Sequence, residues 1–460
     1  MNTNEDTGLK RFSTIQLLNF CLGFFGLQFA WQMRIILSGP VTEGLGASPL
    51  LFGLIWLAGP VTGMVVQPLI GAMSDNTHSK FGRRRPYILA GALLASVALL
   101  LLPESAPIIA KLQSLLPFEL PKLTALVFAA AMIWIIDACV NAAQGPYRAI
   151  IPDNIPKDQH AVANSYLSFA IGLGSVIAAG TAPVLSKCFG YTMSIGAQFA
   201  MAAIAFSGAT IWTCLTLKER DNSKDVAATA ENTDDTPFLQ KMKDFFSTSP
   251  EVAKICTMQL FTWVGIMSMF IFFTQFSVHT VFQIPDLTDV GETVKKLYDA
   301  KVVTATNFSS ICFAVFNLVC FLVSLPLGLI ASKYGNKNIH SISLAITAVA
   351  FGAMTFVYDK TAVLALMAIA GIGWASTLAM PFAMLSEFIK KGSEGSVMGI
   401  FNIFIAGPQV LVCTLLAWFI NQCSFETVGG INYHWEYALA AGAVTLLIAA
   451  IISQTIKEGK

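Results

Sequence analysis

The feature that most limits what this chain can fold into is a succession of apolar runs, each about as long as a bilayer is thick. A hydrocarbon core of about 30 Å takes about 20 helical residues to cross. Runs of that kind fall at 14–37, 50–73, 86–102, 123–148, 161–183 and 191–217. Six more fall at 251–282, 303–330, 339–357, 361–387, 395–420 and 434–456. They are continuously apolar and do not alternate, which predicts helices and not a barrel. The expected fold is therefore all-α, with twelve transmembrane helices. Only 12% of the 460 residues are charged, about half the share of an ordinary soluble domain. The net charge of +1 advertises no nucleic acid. Nine cysteines with no C-x-x-C pair give no disulfide scaffold.

The leader MNTNEDTGLKRFST is polar and no small-residue cleavage site ends the first run, which is read as a retained helix. With the N-terminus in the cytoplasm, twenty Lys and Arg fall in cytoplasmic loops and ends and seven in outer loops, leaving Arg34 within the first helix. That asymmetry predicts both termini inside. The polar stretch 218–250 reads as a flexible cytoplasmic linker between an N-terminal six-helix bundle, 1–217, and a C-terminal one, 251–460.

The two halves echo each other. Helix two ends QPLIGAMSDNTHSKFGRRRP and helix eight LPLGLIASKYGNK. Each has a proline, then Gly71 or Gly328, then Ser74 or Ser332, closed by an aromatic–Gly–x–basic turn. Helix four ends QGPYRAIIPD and helix ten AMPFAMLSE, with a Pro–aromatic pair and a later acid in both. Parallel repeats of this kind place a solute site near the midplane, between the halves.

In these features the chain resembles the major facilitator superfamily, whose signature loop GAMSDNTHSKFGRRRP is similar to. More narrowly, it resembles the sucrose–proton symporters and their bacterial relatives within the glycoside–cation symporter group. That likeness rests on GLQFAW (26–31), IWLAGPVTGMVVQP (55–68), FGRRRPYI (81–88), WIIDACVNAAQGPYRA (134–149) and GIFNIFIAGPQV (399–410). It implies two six-helix bundles, alternating access, sugar transport with a proton, and a bacterial inner membrane. An acid matching Asp137 is tied in that family to proton coupling and sugar binding, and Gln28, Trp31 and Arg148 also match family positions. The plant members carry acidic and Arg-Glu residues late in helix seven. Here that stretch reads FFTQFSVHT, a departure that bears on sucrose itself as the solute.

Asp137 is the one acid deep inside a span. A carboxylate at the bilayer centre costs at least about 2.5–3.5 kcal/mol, so it should face a cavity or a partner. Asn141, Gln144 and Arg148 follow at i+4, i+7 and i+11 on one helical stripe. Such a stripe suits a hydroxyl-rich solute path, and a carboxylate that can also hold a proton offers a way to couple the two. Polar contact between helices is the other reading. Arg148 is either a topological anchor or a cytoplasmic gate paired with Asp75 or Asp153. Asp75 with Arg83, Arg84 and Arg85 forms the loop that would clamp neighbouring helix ends through bidentate bonds.

Helix one offers Gln28, Trp31 and Gln32, an aromatic beside amides that suits a pyranose ring, unless Trp31 simply packs. Arg34 is expected to snorkel to the interface, with direct solute contact as the alternative. Helix seven adds Gln259, Trp263, Gln275 and His279, the last a candidate second titrating group. Asn317, Trp374, Asn402 and Gln409 are further cavity candidates, or interhelical bonds. Gly59 and Gly63 read as close packing.

Five histidines without an H-E-x-x-H pattern indicate no metal, and no cofactor is expected beyond a proton as coupling ion. The function expected is secondary transport of a small solute by a monomer in the lipid bilayer, with sodium-coupled, uncoupled or exporting variants as rivals. A sensor has no need of the polar stripe. An intramembrane enzyme is disfavoured because no G-x-S-x-G, nucleotide loop or second buried acid appears.

Overall fold

A computed structural model describes residues 11–75, 77, 79–156, 159–217, 219, 243, 246–247, 250–285, 292–388, 394–427 and 430–457. Most of the expected linker, 218–250, lies outside the described residues.

The first half of the chain begins with α1, Thr14–Glu43, whose 30 residues span about 45 Å at 1.5 Å each. The second expected span forms as two pieces, α2, Pro49–Trp56, and α3, Ala58–Asp75. Ser48 opens α2 by accepting the Leu51 N–H, and Pro49 follows where a missing N–H does no harm. Next come α4, Arg85–Leu101, and α5, Ser105–Leu115, which meet at 72°. Pro103 lies in that break, where it has no N–H to continue a helix. Three long helices complete the half: α6, Thr124–Asn154, α7, His160–Phe189, and α8, Ile195–Thr216.

The second half has α9, Pro250–Gln275, prolonged by a π-helical turn Phe276–Val281, and α10, Glu292–Tyr334. It continues with α11, Asn336–Met354, α12, Lys360–Ser386, and α13, Glu394–Leu411. A second π turn, Val412–Leu416, leads into α14, Ala417–Gln422. A short antiparallel hairpin, β1 Ser424–Thr427 and β2 Gly430–Tyr433, precedes α15, Glu436–Thr455. The hairpin is an addition to the all-α expectation.

Among the described residues, ten helices are long and apolar enough to cross a membrane, and the bent α4–α5 pair makes eleven. The remaining expected span corresponds to α11, which opens on Asn336, Lys337, Asn338 and His340. Its polar groups are answered by protein. His340, fully buried, lies 2.8 Å from the Ser376 hydroxyl on α12, and Ser341 donates to Ala450 O on α15. A helix wrapped in neighbours can carry such groups where a lipid-facing one cannot.

By proximity the chain groups into two compact units. One comprises Met1–Arg34, Val61–Thr181 and Met193–Asp234, the other Ile35–Pro60, Ala182–Thr192 and Asp235–Lys460. Within the first, α4 packs on α6 and α8. Within the second, α9 packs on α13 and α15, and α11 on α12 and α15. Gly265 and Gly442 bring the α9 and α15 backbones together: a Cβ on Gly442 would stand 3.0 Å from Gly265 O.

The echo between halves is structural. Pro68 lies inside α3 and Pro326 inside α10. Ser74 and Ser332 each turn their hydroxyl onto a carbonyl three residues back, at 2.8 Å. Gly82 and Gly335 both take positive φ, +99° and +91°, before the next helix begins. The two helix ends are secured differently. In the second unit Lys254 and Lys337 donate to Thr455 O and Ile456 O, at 2.9 and 2.8 Å, capping the C-terminus of α15. In the first unit side chain meets side chain at Arg84, and a carboxylate, Glu219, also takes main-chain N–H groups.

Candidate functional site

Asp137 sits in the middle of α6 and is 3% exposed. Its carboxylate pairs with Arg34 of α1, itself 2% exposed. Arg34 therefore does not snorkel to an interface, and the expectation is corrected. Neither charge can reach water, so each supplies what the other's desolvation demands. Asp137 is not the isolated acid that the sequence suggests.

Along the α6 stripe exposure increases. Asn141 is half-buried and bridges helices, donating to Thr62 Oγ1 of α3 at 2.9 Å. Gln144 is half-buried and Arg148 exposed, with its guanidinium 5.3 Å from the centre of the Phe24 ring. The carboxylates that the sequence offers Arg148 are engaged elsewhere. Among the described residues it pairs with neither Asp75 nor Asp153.

Those acids converge on Arg84, which is 5% exposed. Its Nη1 donates to Ser74 Oγ at 2.6 Å, Nη2 meets Asp75 Oδ1 at 2.5 Å, and Nε donates to Asp153 Oδ2 at 3.0 Å. Arg83 takes the other Asp153 oxygen at 2.7 Å. Only a planar fork of donors serves three acceptors in this way. Arg84 thus joins the ends of α3, α4 and α6.

Glu219 belongs to this cluster and escaped the sequence reading, because an acid just beyond a span looks solvated. Its carboxylate accepts the backbone N–H groups of Arg83, Arg84 and Arg85, at 2.9, 2.9 and 2.8 Å. This satisfies the free donors where α4 begins, with the charge placed to suit the helix dipole. A Cβ on Gly82 would lie 2.5 Å from Glu219 Oε1, so the glycine is needed for space as well as for its φ. Glu219→Ala is expected to cost about 2–3 kcal/mol and Glu219→Gln about half that, read from thermal unfolding of the purified protein. Two silent substitutions would show that the cradle is not structural.

Of the remaining candidates, Gln32 on α1 is buried, while Gln28 and Trp31 are half-buried. In the second unit Trp263 of α9 meets Trp374 of α12 edge to face at 5.8 Å, and Phe270 closes on Trp374 at 5.1 Å. Gln259, one turn from Trp263, is wholly buried, with neither amide atom hydrogen-bonded. A sealed amide without hydrogen bonds is unusual in a core. Gln275 lies against Gly39, where a Cβ would overlap its amide. His279 contacts Glu43, another acid that the sequence reading passed over. Asn402 is exposed, and Gln409 donates to Ile405 O of its own helix at 3.1 Å. Tyr147 was also missed. It is buried and donates to Phe20 O, tying α6 to α1 near the stripe.

Ten membrane-length apolar helices among the described residues, eleven with the bent α4–α5 pair, and an arginine–carboxylate clamp after α3 fit a secondary transporter scaffold. The chain matches the Major Facilitator Superfamily over residues 20–295 and 302–456 and belongs to that family. It is accordingly a multi-pass membrane transporter and not an enzyme. It is 26% identical to a sucrose transport protein of Arabidopsis thaliana, over 93% of this chain and 87% of that one. It is 24% identical to a general alpha-glucoside permease of Schizosaccharomyces pombe, over 95% and 92%. Among solved structures, the nucleoside transporter NupG shares the fold, with a TM-score of 0.66 and 14% identity over 97% of this chain and 100% of that one.

Proposed function

We propose that this chain moves a sugar, a glucoside or disaccharide, inward together with a proton by alternating access. The observation that carries the reading is the buried pair between Arg34 and Asp137 at the sealed end of the α6 stripe. A proton arriving on Asp137 cancels its charge and releases the guanidinium. The freed N–H donors and the neutral acid then match sugar hydroxyls, which both donate and accept. When the proton leaves, the ion pair re-forms and competes with the sugar. Support for the solute class comes from the names of the sucrose and alpha-glucoside relatives. Taken by itself, the second unit carries groups of the kind a pyranose ring meets, the indoles of Trp263 and Trp374 and the amide of Gln259.

We also place both termini in the cytoplasm, with 1–217 and 251–460 as the two bundles joined by 218–250. The Arg84 clamp is then a cytoplasmic gate in a protein that works as a monomer, in a bacterial inner membrane. Proteoliposomes carrying the protein should concentrate labelled sucrose or maltose when the outside is made acidic, and a protonophore should abolish the accumulation. Accumulation that follows sodium instead, or thermal stabilisation by amino acids and by no sugar, would overturn the proposal.

A further inference from the structure

The π turn at the end of α9 holds His279 between two acceptors. Its Nδ1 lies 2.7 Å from the carbonyl oxygen of Ile284, and its Nε2 lies 2.8 Å from Glu43 Oε1 at the end of α1. The backbone is bent to make this possible. The helix widens over Phe276–Val281, and Gln283 adopts a φ of +52°, unusual for a residue with a side chain. These two departures turn Ile284 O back onto the ring. The imidazole also stacks on Trp435, with centroids 6.0 Å apart at 24°. Glu43 Oε1 and His279 Nε2 are both shielded from solvent.

A count of protons gives the arrangement its meaning. A carbonyl has no hydrogen to give, so the nitrogen facing Ile284 must carry one. In a neutral ring Nε2 is then a lone pair, aimed at a carboxylate that also has none. At 2.8 Å the contact needs one more proton, on the ring or on the carboxyl. We propose that His279 and Glu43 together form a proton-binding site, separate from Asp137, whose contact exists only while the proton is bound. Loss of that proton to solvent leaves a lone pair against an anion, and the end of α1 parts from α9.

Other charges nearby are already matched or directed elsewhere. Glu436 meets His434 Nδ1 at 2.7 Å and accepts from Thr280 Oγ1 at 3.3 Å. Lys360 lies over the Phe282 ring at 3.8 Å. From α10, Tyr298 packs on the apolar cluster of Val278 and Ile284.

The test requires neither transport nor a known solute, so it stands apart from the sugar proposal. The full chain in detergent is unfolded by heat at values from about pH 5 to about pH 8, the range in which histidine titrates. The wild-type midpoint should fall as pH rises. Glu43→Gln and His279→Gln should each remove most of that fall, and the double substitution should remove no more than either. His434→Gln should retain it. Should a glutamine variant fail to fold, the exchanged pair Glu43→His with His279→Glu carries the test, and should show a fall of the same sign. A flat wild-type profile, single variants with an unchanged profile, additive effects, or an exchanged pair with no fall would each overturn the inference.

Discussion

Replacing Arg34 with leucine is expected to cost about 3–5 kcal/mol of stability and to stop concentrative uptake. The cost is that of leaving the Asp137 carboxylate unpaired in a site where its side chain is 4% exposed. Removing one partner of a buried pair hurts more than removing both, because the survivor keeps its desolvation penalty. Arg34→Leu combined with Asp137→Asn should therefore recover most of the lost thermal stability while transport stays absent. Thermal unfolding and uptake by the same preparation separate the two effects. A double variant no more stable than Arg34→Leu would mean that the pair contributes packing and not charge compensation.

The second large effect is expected at Arg84. Arg84→Ala should cost about 2–3 kcal/mol, since it leaves the Asp153 carboxylate to Arg83 alone and takes the guanidinium donor from Ser74 Oγ. Asp75→Asn should cost less than about 1 kcal/mol, because the Asp75 side chain is 54% exposed and solvent screens that arm. Arg84→Lys should resemble Arg84→Ala more than wild type. An ammonium is a point charge and cannot span three acceptors set at different angles. Thermal midpoints of the three variants rank the arms of the clamp. Equal losses for Asp75→Asn and Arg84→Ala would place the energy at the exposed arm instead.

Much of the fold is legible in the chain because a bilayer imposes a length and a hydropathy on anything that crosses it. The α11 span was readable by length even though its first turn is polar. The paired turns at Gly82 and Gly335 were readable because the same residues recur with the same chemistry. Part of the Arg84 clamp is legible, since Asp75 and Arg83–Arg85 lie close together in sequence, whereas Asp153 stands 69 positions from Arg84 and reads as a partner for Arg148. The partner of Asp137 is not legible, because Arg34 lies 103 positions away and its place late in a helix suggested an interface anchor. Glu43 and Glu219 went unnoticed for a related reason. A carboxylate beside a span usually faces water, and only tertiary structure reveals that one cradles three amides and the other meets an imidazole. The π turn carries no sequence mark that separates it from ordinary helix.

The different fastenings of the two halves have a consequence for how freely each can drift through mutation. At the start of α4, security depends on particular side chains, and losing Asp153 or Glu219 deletes an acceptor outright. At the end of α15, Lys254 and Lys337 hold main-chain oxygens, which persist whatever residues occupy positions 455 and 456. Acidic positions, Asp153 and Glu219 in the first half and Glu251 in the second, should therefore tolerate few amino acids, while positions 455 and 456 accept many because the backbone itself is the acceptor. Saturation libraries over both ends, scored for folded protein in the membrane, would display that inequality directly.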